Sequence, residues 1–134
     1  MLGEHVGSMT GATSNKAVQA VGGMPAMETS GTGQGMLAGQ EVQFMATYSA
    51  VMQPDGSFYG ECPNSGIIMS ATGAATFRAT GAGNPTPDGG FKFRGVVYFQ
   101  SQDANLSKLN GKACAYAWDV DPAGTASWEI HEIT

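Results

Sequence analysis

Four groups of residues in this chain have the types and spacing to do chemistry. The run Tyr59-Gly60-Glu61-Cys62 puts a phenol and a carboxylate two residues apart, on one face of any extended strand. A glutamate buried there would have a raised pKa and could act as general acid or base while the tyrosine orients a substrate. The ordinary alternative is a strand-end carboxylate paired at the surface; Glu28 and Glu41 are weaker versions of the same idea. Arg78 and Arg94 face one another if the hairpin between them turns near Thr86. Like charges directly opposite in a sheet need an anion nearby, which would make a carboxylate seat. Their alternative is a solvated face shared with Thr76, Thr80 and Lys92. Arg94 is the stronger of the two, because Val96 and Tyr98 share its parity while Phe91, Phe93, Val97 and Phe99 hold the other.

The remaining candidates are weaker. His5 and His131 lie at opposite ends of the chain, and closure of a barrel would bring them to one rim beside Glu4, Glu129 and Glu132. Two imidazoles and a carboxylate can hold a transition metal. Rim residues are usually solvated, so a titrating pair on the seam is the preferred reading. Cys62 has the parity opposite to Glu61 and no histidine near it, so nothing activates it as a nucleophile. Cys62 and Cys114 therefore read as wall or core thiols. Gly33, Gly35 and Ala38 match a dinucleotide fingerprint, but no strand–helix–strand unit follows them. No metal and no cofactor is assigned.

Composition narrows the classes. The chain has 134 residues and a net charge of -5 with only six Lys and Arg, which argues against a nucleic-acid partner. No apolar stretch approaches the roughly 20 residues of a spanning helix, so no membrane partner is expected. The opening MLGEHVGSMTG lacks the basic start and apolar run of a secretory signal. Two free thiols and eight methionines suit a reducing compartment, and the expected location is cytoplasmic.

The elements that must position these residues follow a period of two. Val42 to Met52, Phe91 to Gln100 and Cys114 to Val120 each alternate between an apolar and a mixed parity, the mark of strands with one face in a core. Pro54-Asp55-Gly56, Pro87-Asp88-Gly89-Gly90 and Asp121-Pro122-Ala123-Gly124 separate them as turns. Weaker breaks at Gly22–Pro25, Ala38-Gly39, Ser70–Gly73 and Ser101–Gly111 complete the division. Eight strands are predicted, over 4–20 (bulged or broken), 26–37, 40–52, 57–69, 74–83, 91–100, 112–120 and 125–133. The segment 103–110 is the one helical candidate, with Asp103 as cap, Leu106 and Leu109 on one face, and Gly111 as stop. The three strong turns are alternate connections, so they share one rim and the helical turn takes the other. An even strand number lets the last strand close on the first. The expected architecture is all-β: one domain over 1–134, a single eight-stranded antiparallel up-and-down barrel with one short helical turn before strand seven. A two-sheet sandwich is the alternative.

The residues GTGQGMLAGQEVQFMATYSAV, YGEC, FRGVVYFQ, SKLNG and WDVDPAGTASWEIHE resemble an uncharacterised family of small bacterial proteins. That family reads G-x-G-x-x-x-G-x-E, TY, YGE, WRGxxYxQ, LxxLN, VDxxGN and a terminal WEW. The likeness runs from Gly31 onward, and the strand order resembles the allene oxide cyclase-like barrels, which have a central cavity. It departs at Trp128-Glu129-Ile130-His131-Glu132 and at Cys62, where Gly is expected. The resemblance implies the fold and a cytoplasmic protein, permits a homo-oligomer, and lends no catalytic residue.

The functional expectation is a barrel whose cavity takes a small apolar or carboxylated molecule, with cofactor-independent isomerisation or cyclisation as the chemistry. Glu61 would be the acid–base group and Arg94 the charge stabiliser. Tyr48, Tyr59, Tyr98, Trp118 and Arg78 would bind the ligand, with Tyr116 and Trp128 as further polar-tipped rings. The alternative is a non-catalytic carrier, or an oligomeric structural and interaction protein with a packed barrel whose outer apolar parity, such as Val51 and Val96, forms the interface.

Overall fold

The computed structural model describes residues 1–134. Its elements are β1 (Leu2–Val21), β2 (Met24–Leu37), β3 (Gln40–Met52), β4 (Phe58–Ser70), β5 (Ala74–Pro85), β6 (Phe91–Ser101), a 3₁₀ turn (Ser107–Leu109), β7 (Cys114–Val120) and β8 (Thr125–Ile133). Each strand pairs antiparallel with its chain neighbours, and β8 closes on β1, so the sheet is a closed eight-stranded barrel. The sandwich alternative is excluded.

The turns behave as their residues dictate. Gly56, Gly89 and Gly124 adopt φ of 88, 97 and 88°, values open to glycine at no steric cost. The Asp121 carboxylate accepts the N–H groups of Ala123 and Thr125 at 3.0 and 2.8 Å, the local bonding that makes Asp a turn former. The β5–β6 hairpin turns two residues later than expected. Thr86 N–H bonds Gly90 C=O, and the strands continue to the Pro85–Phe91 pair. Arg78 therefore faces Tyr98, and Arg94 faces Ala82, which corrects the predicted Arg78–Arg94 pair. The guanidinium of Arg78 lies 5.1 Å from the Tyr98 ring centroid.

The helical candidate contracts to a single turn. Asp103 does not cap it through its carboxylate, which takes the N–H of Asn105 at 3.0 Å, while its carbonyl accepts from Leu106 and Ser107. Leu106 and Leu109 are both buried in the main core and stop the lower end of the barrel. Asn110 ties the turn to β6 by bonding both the N–H and the C=O of Ser101, at 2.9 and 2.8 Å.

Inside, three rings face glycines on the preceding strand, while others face one another, as Phe77 faces Phe99 and Trp118 faces Trp128. A Cβ on Gly66 would fall 2.0 Å from the Phe77 ring, one on Gly83 2.3 Å from Phe93, and one on Gly33 2.5 Å from Phe44. At Gly95 the obstacle is main chain: an added Cβ would meet the Thr80 carbonyl oxygen at 1.9 Å and the Gly81 Cα at 2.6 Å. Around these glycines Phe44, Trp118 and Trp128 meet edge to face at 5.6 to 6.0 Å, the arrangement ring quadrupoles favour.

Gly95→Ala is expected to cost about 1–3 kcal/mol through forced backbone displacement, read as a lower urea midpoint. Gly31→Ala, whose new methyl would find only ordinary contacts at 3.6 to 3.7 Å, is the control and should stay near the wild type. Equal midpoints for the two variants would refute the account of main-chain crowding at Gly95.

Candidate functional site

The interior keeps one small space. Phe44, Tyr48, Cys62, Phe93, Tyr116 and Trp118 are among its walls, with Ala46, Ala79, Gly31 and Gly60 supplying the room, and its volume is about 60 Å³. Pockets for drug-sized ligands run to roughly 300–1,000 Å³, so this one suits a molecule of a few heavy atoms.

Strand parity decides which side chains reach it. On β3, Phe44, Ala46 and Tyr48 point inward; on β7, Cys114, Tyr116 and Trp118 do. Tyr48 and Trp118 are joined directly: Trp118 Nε1–H donates to Tyr48 Oη at 3.1 Å. Tyr48 sits opposite Thr29, whose buried hydroxyl donates to Asn15 Oδ1 at 2.7 Å. A polar line thus runs from the cavity to the hairpin of β1 and β2. Tyr116 donates to the Thr80 carbonyl at 3.3 Å.

Cys62 reaches the cavity on the inward parity it shares with Phe58 and Gly60, and β4 bulges directly after it. Between Cys62 and Gly66, β4 spends three residues where β5 spends one between Ala79 and Phe77. Pro63 lies in this insertion, as a proline inside a closed sheet must, and Asn64 takes φ of 59°. Ser65 secures the bulge by donating to the Thr47 carbonyl at 2.6 Å, with Cys62 Sγ 3.5 Å from its hydroxyl.

Of the other predicted site residues, Glu61 borders the space and the remaining four lie on the outer surface. Glu61 is exposed, between buried Gly60 and Cys62, so alternation sends its carboxylate outward, away from the cavity its strand borders. Tyr59 shares that parity and is 46% exposed; Tyr98 is 42% exposed, stacked with Arg78 on the same outer surface. Arg94 pairs with Asp119 at 2.6 Å in solvent. The reason is common to all five: each occupies the parity opposite to its strand's core residues. Conversely, Phe44, Phe77 and Phe93 line the space without having been assigned to it, beside Tyr116 and Trp128, expected as further rings, and Cys62, expected as a wall or core thiol. Their signal was the parity of Tyr48 and Trp118 carried around the barrel.

At the seam, His5 and His131 pair across β1 and β8 with ring centroids 4.9 Å apart. Glu129 bonds His5 Nε2 at 2.9 Å and accepts the Ser8 hydroxyl at 2.5 Å. No set of three histidine, cysteine or carboxylate residues is gathered closely enough to hold a metal ion. An open polar depression lies outside, against the β5–β6 hairpin, with Asn84, Lys92, Asp119 and Asp121 among its walls.

Burial raises the Tyr48 phenol, partly offset by its bonds to Trp118 and Thr29. Burial also raises Tyr116 strongly, with the neighbouring Tyr48 and Cys62 adding to the shift. The Cys62 thiol is raised by burial, eased by Ser65. The cavity therefore presents un-ionised hydroxyls, a thiol and an indole at neutral pH.

No protein-family model and no curated protein matches the chain. Solved structures do. A conserved protein of unknown function from Rhodopseudomonas palustris superposes with a TM-score of 0.81 at 12% identity, covering 100% of this chain and 99% of that one. A protein of unknown function from Clostridium acetobutylicum gives 0.71 at 13% identity, covering 98% of each. At such identities the likeness is one of fold alone.

Raised acid groups hold their protons longer in the folded state than in the unfolded one. The stability they carry is intact below the unfolded values, 9.0 for the thiol and 10.0 for the phenols, and is lost as pH climbs through the folded ones. Ultraviolet titration should show a late phenolate component that appears above the ordinary phenol range, together with loss of the fold. Tyr48→Phe with Tyr116→Phe should remove it, and a late component of full amplitude in that double variant would refute the assignment.

Proposed function

We propose that the protein is a non-catalytic carrier of a small, largely apolar molecule held inside the barrel. The observation that carries this reading is an apolar space of about 60 Å³ whose inward-pointing polar groups, on Tyr48, Tyr116, Trp118 and Cys62, are uncharged at neutral pH, while Glu61 borders it from the outward parity of β4. Aromatic walls supply contact area, and the Tyr48 and Tyr116 hydroxyls offer hydrogen bonds to one polar atom of the occupant. The ligand is apolar in preference to carboxylated, because no cation lines the space.

The likeness of the strand order to allene oxide cyclase-like barrels favours a function centred on the cavity, and it is what an isomerase or cyclase reading draws on. Such chemistry needs a proton donor or acceptor poised near neutral pH at the reacting atom. Glu61 and Arg94, the groups suited to those roles, project from the outer surface. The carrier reading asks nothing of them.

Xenon, a compact apolar probe, tests the cavity directly. Under pressure it should shift the Ala46, Ala79 and Trp118 resonances of the wild type in a saturable way. Ala79→Val fills the space with a branched side chain suited to a strand and should abolish saturation while the fold persists. Wild-type spectra unmoved by xenon would overturn the reading.

A further inference from the structure

The closed barrel has an open edge. β1 runs from Leu2 to Val21, but its ladder with β8 ends at the Ala12–Thr125 pair and the bond from Thr13 N–H to Gly124 C=O at 2.9 Å. The reason is stagger. The row Val18, Ala26, Val51, Tyr59, Ala82, Arg94, Ala117, Glu129 returns to β1 at Ser8, ten residues from its start (18 to 8). Beyond Thr13, β1 is bonded to β2 on one side and to nothing on the other, and residues 14–21 are all exposed.

Antiparallel strands point the N–H and C=O of alternate residues to alternate sides. Thr13 points toward β8, so Asn15, Ala17 and Gln19 direct theirs to the free side. The segment has no proline, and its register with β2 is regular to Val18, with a shift only between there and Val21. Its one charge, Lys16, is already neutralised by Glu28 at 3.2 Å. In a chain of net charge -5, this neutral stretch is where a second acidic copy meets least repulsion.

We propose that β1 of a second copy of this chain adds antiparallel to this edge, making a two-fold dimer centred on Ala17. The side-chain pattern selects that centre. With Ala17 facing its counterpart, Asn15 faces Gln19, where two amides can bond, and Lys16 faces Val18, whose 38% exposed side chain covers the lysine stem. A shift of one residue that set Lys16 against Lys16 would oppose like charges. The interface repeats each contact twice, as an isologous pairing must. This inference stands independently of what the cavity holds.

Sedimentation equilibrium of the full chain over a wide concentration range is the test, with hydrogen exchange as second readout. The wild type should pass from the mass of one chain to that of two, with protection of the Asn15, Ala17 and Gln19 amides rising alongside. Ala17→Pro removes an N–H that bonds nothing within the chain, a site where edge strands tolerate proline. It should stay at the mass of one chain with an unchanged thermal midpoint. Val18→Lys places a second lysine opposite Lys16 of the other copy and should also be monomeric; it decides the matter if the proline variant fails to fold. A wild type that is monomeric at every concentration overturns the proposal, as does a dimer that survives both substitutions.

Discussion

The interior of this barrel depends on one steric constraint: Phe44, Phe77 and Phe93 each lie over a facing glycine of the preceding strand, where a Cβ would leave the ring no room. Eight strands enclose too narrow a cylinder for large side chains on every inward position, so some of those positions must be left small. Phe77 lies over Gly66, Phe93 over Gly83, Phe44 over Gly33. Because each ring touches main chain of an adjacent strand, these contacts set radius and register as well as filling space. The small cavity is what remains where Ala46, Ala79, Gly31 and Gly60 meet without a ring to fill the gap.

Closure has two consequences of opposite sign. It protects most backbone groups by pairing them around the cylinder, and it leaves no place for a proline in mid-strand without a bulge. Pro63 is accommodated by the bulge of β4 that follows inward-facing Cys62, and Ser65 secures it with a bond to the Thr47 carbonyl. The stagger that lets eight twisted strands close also leaves part of β1 without a neighbour. A sealed wall and an exposed strand edge therefore come from the same geometry.

Charge and cavity are kept apart. The ion pairs Arg94–Asp119, Lys16–Glu28 and Lys112–Glu132 are all on the outside, where each contributes little to stability. The interior polar atoms belong to Tyr48, Tyr116, Trp118, Thr29 and Cys62, groups whose neutral forms can be buried once hydrogen-bonded. Of the seven residues singled out from the sequence, Tyr48 and Trp118 reach this interior. Glu61, Arg94, Arg78, Tyr59 and Tyr98 were chosen for their chemistry, and chemistry does not reveal on which side of a strand a residue stands.

The amino-acid sequence by itself determined the number of strands, their antiparallel order, the rim that carries the Asp–Gly turns and the apolar turn of Leu106 and Leu109 that stops the other end. Those features are local: alternation and turn residues act within a few positions of chain. Three others were decided by tertiary structure. A two-residue change in where the β5–β6 hairpin turns moved Arg78 from Arg94 to Tyr98. Closure selected the inward parity of every strand, and the stagger left the end of β1 open. Each depends on summing register around the whole ring, so a small offset at any one pair is carried to all the rest.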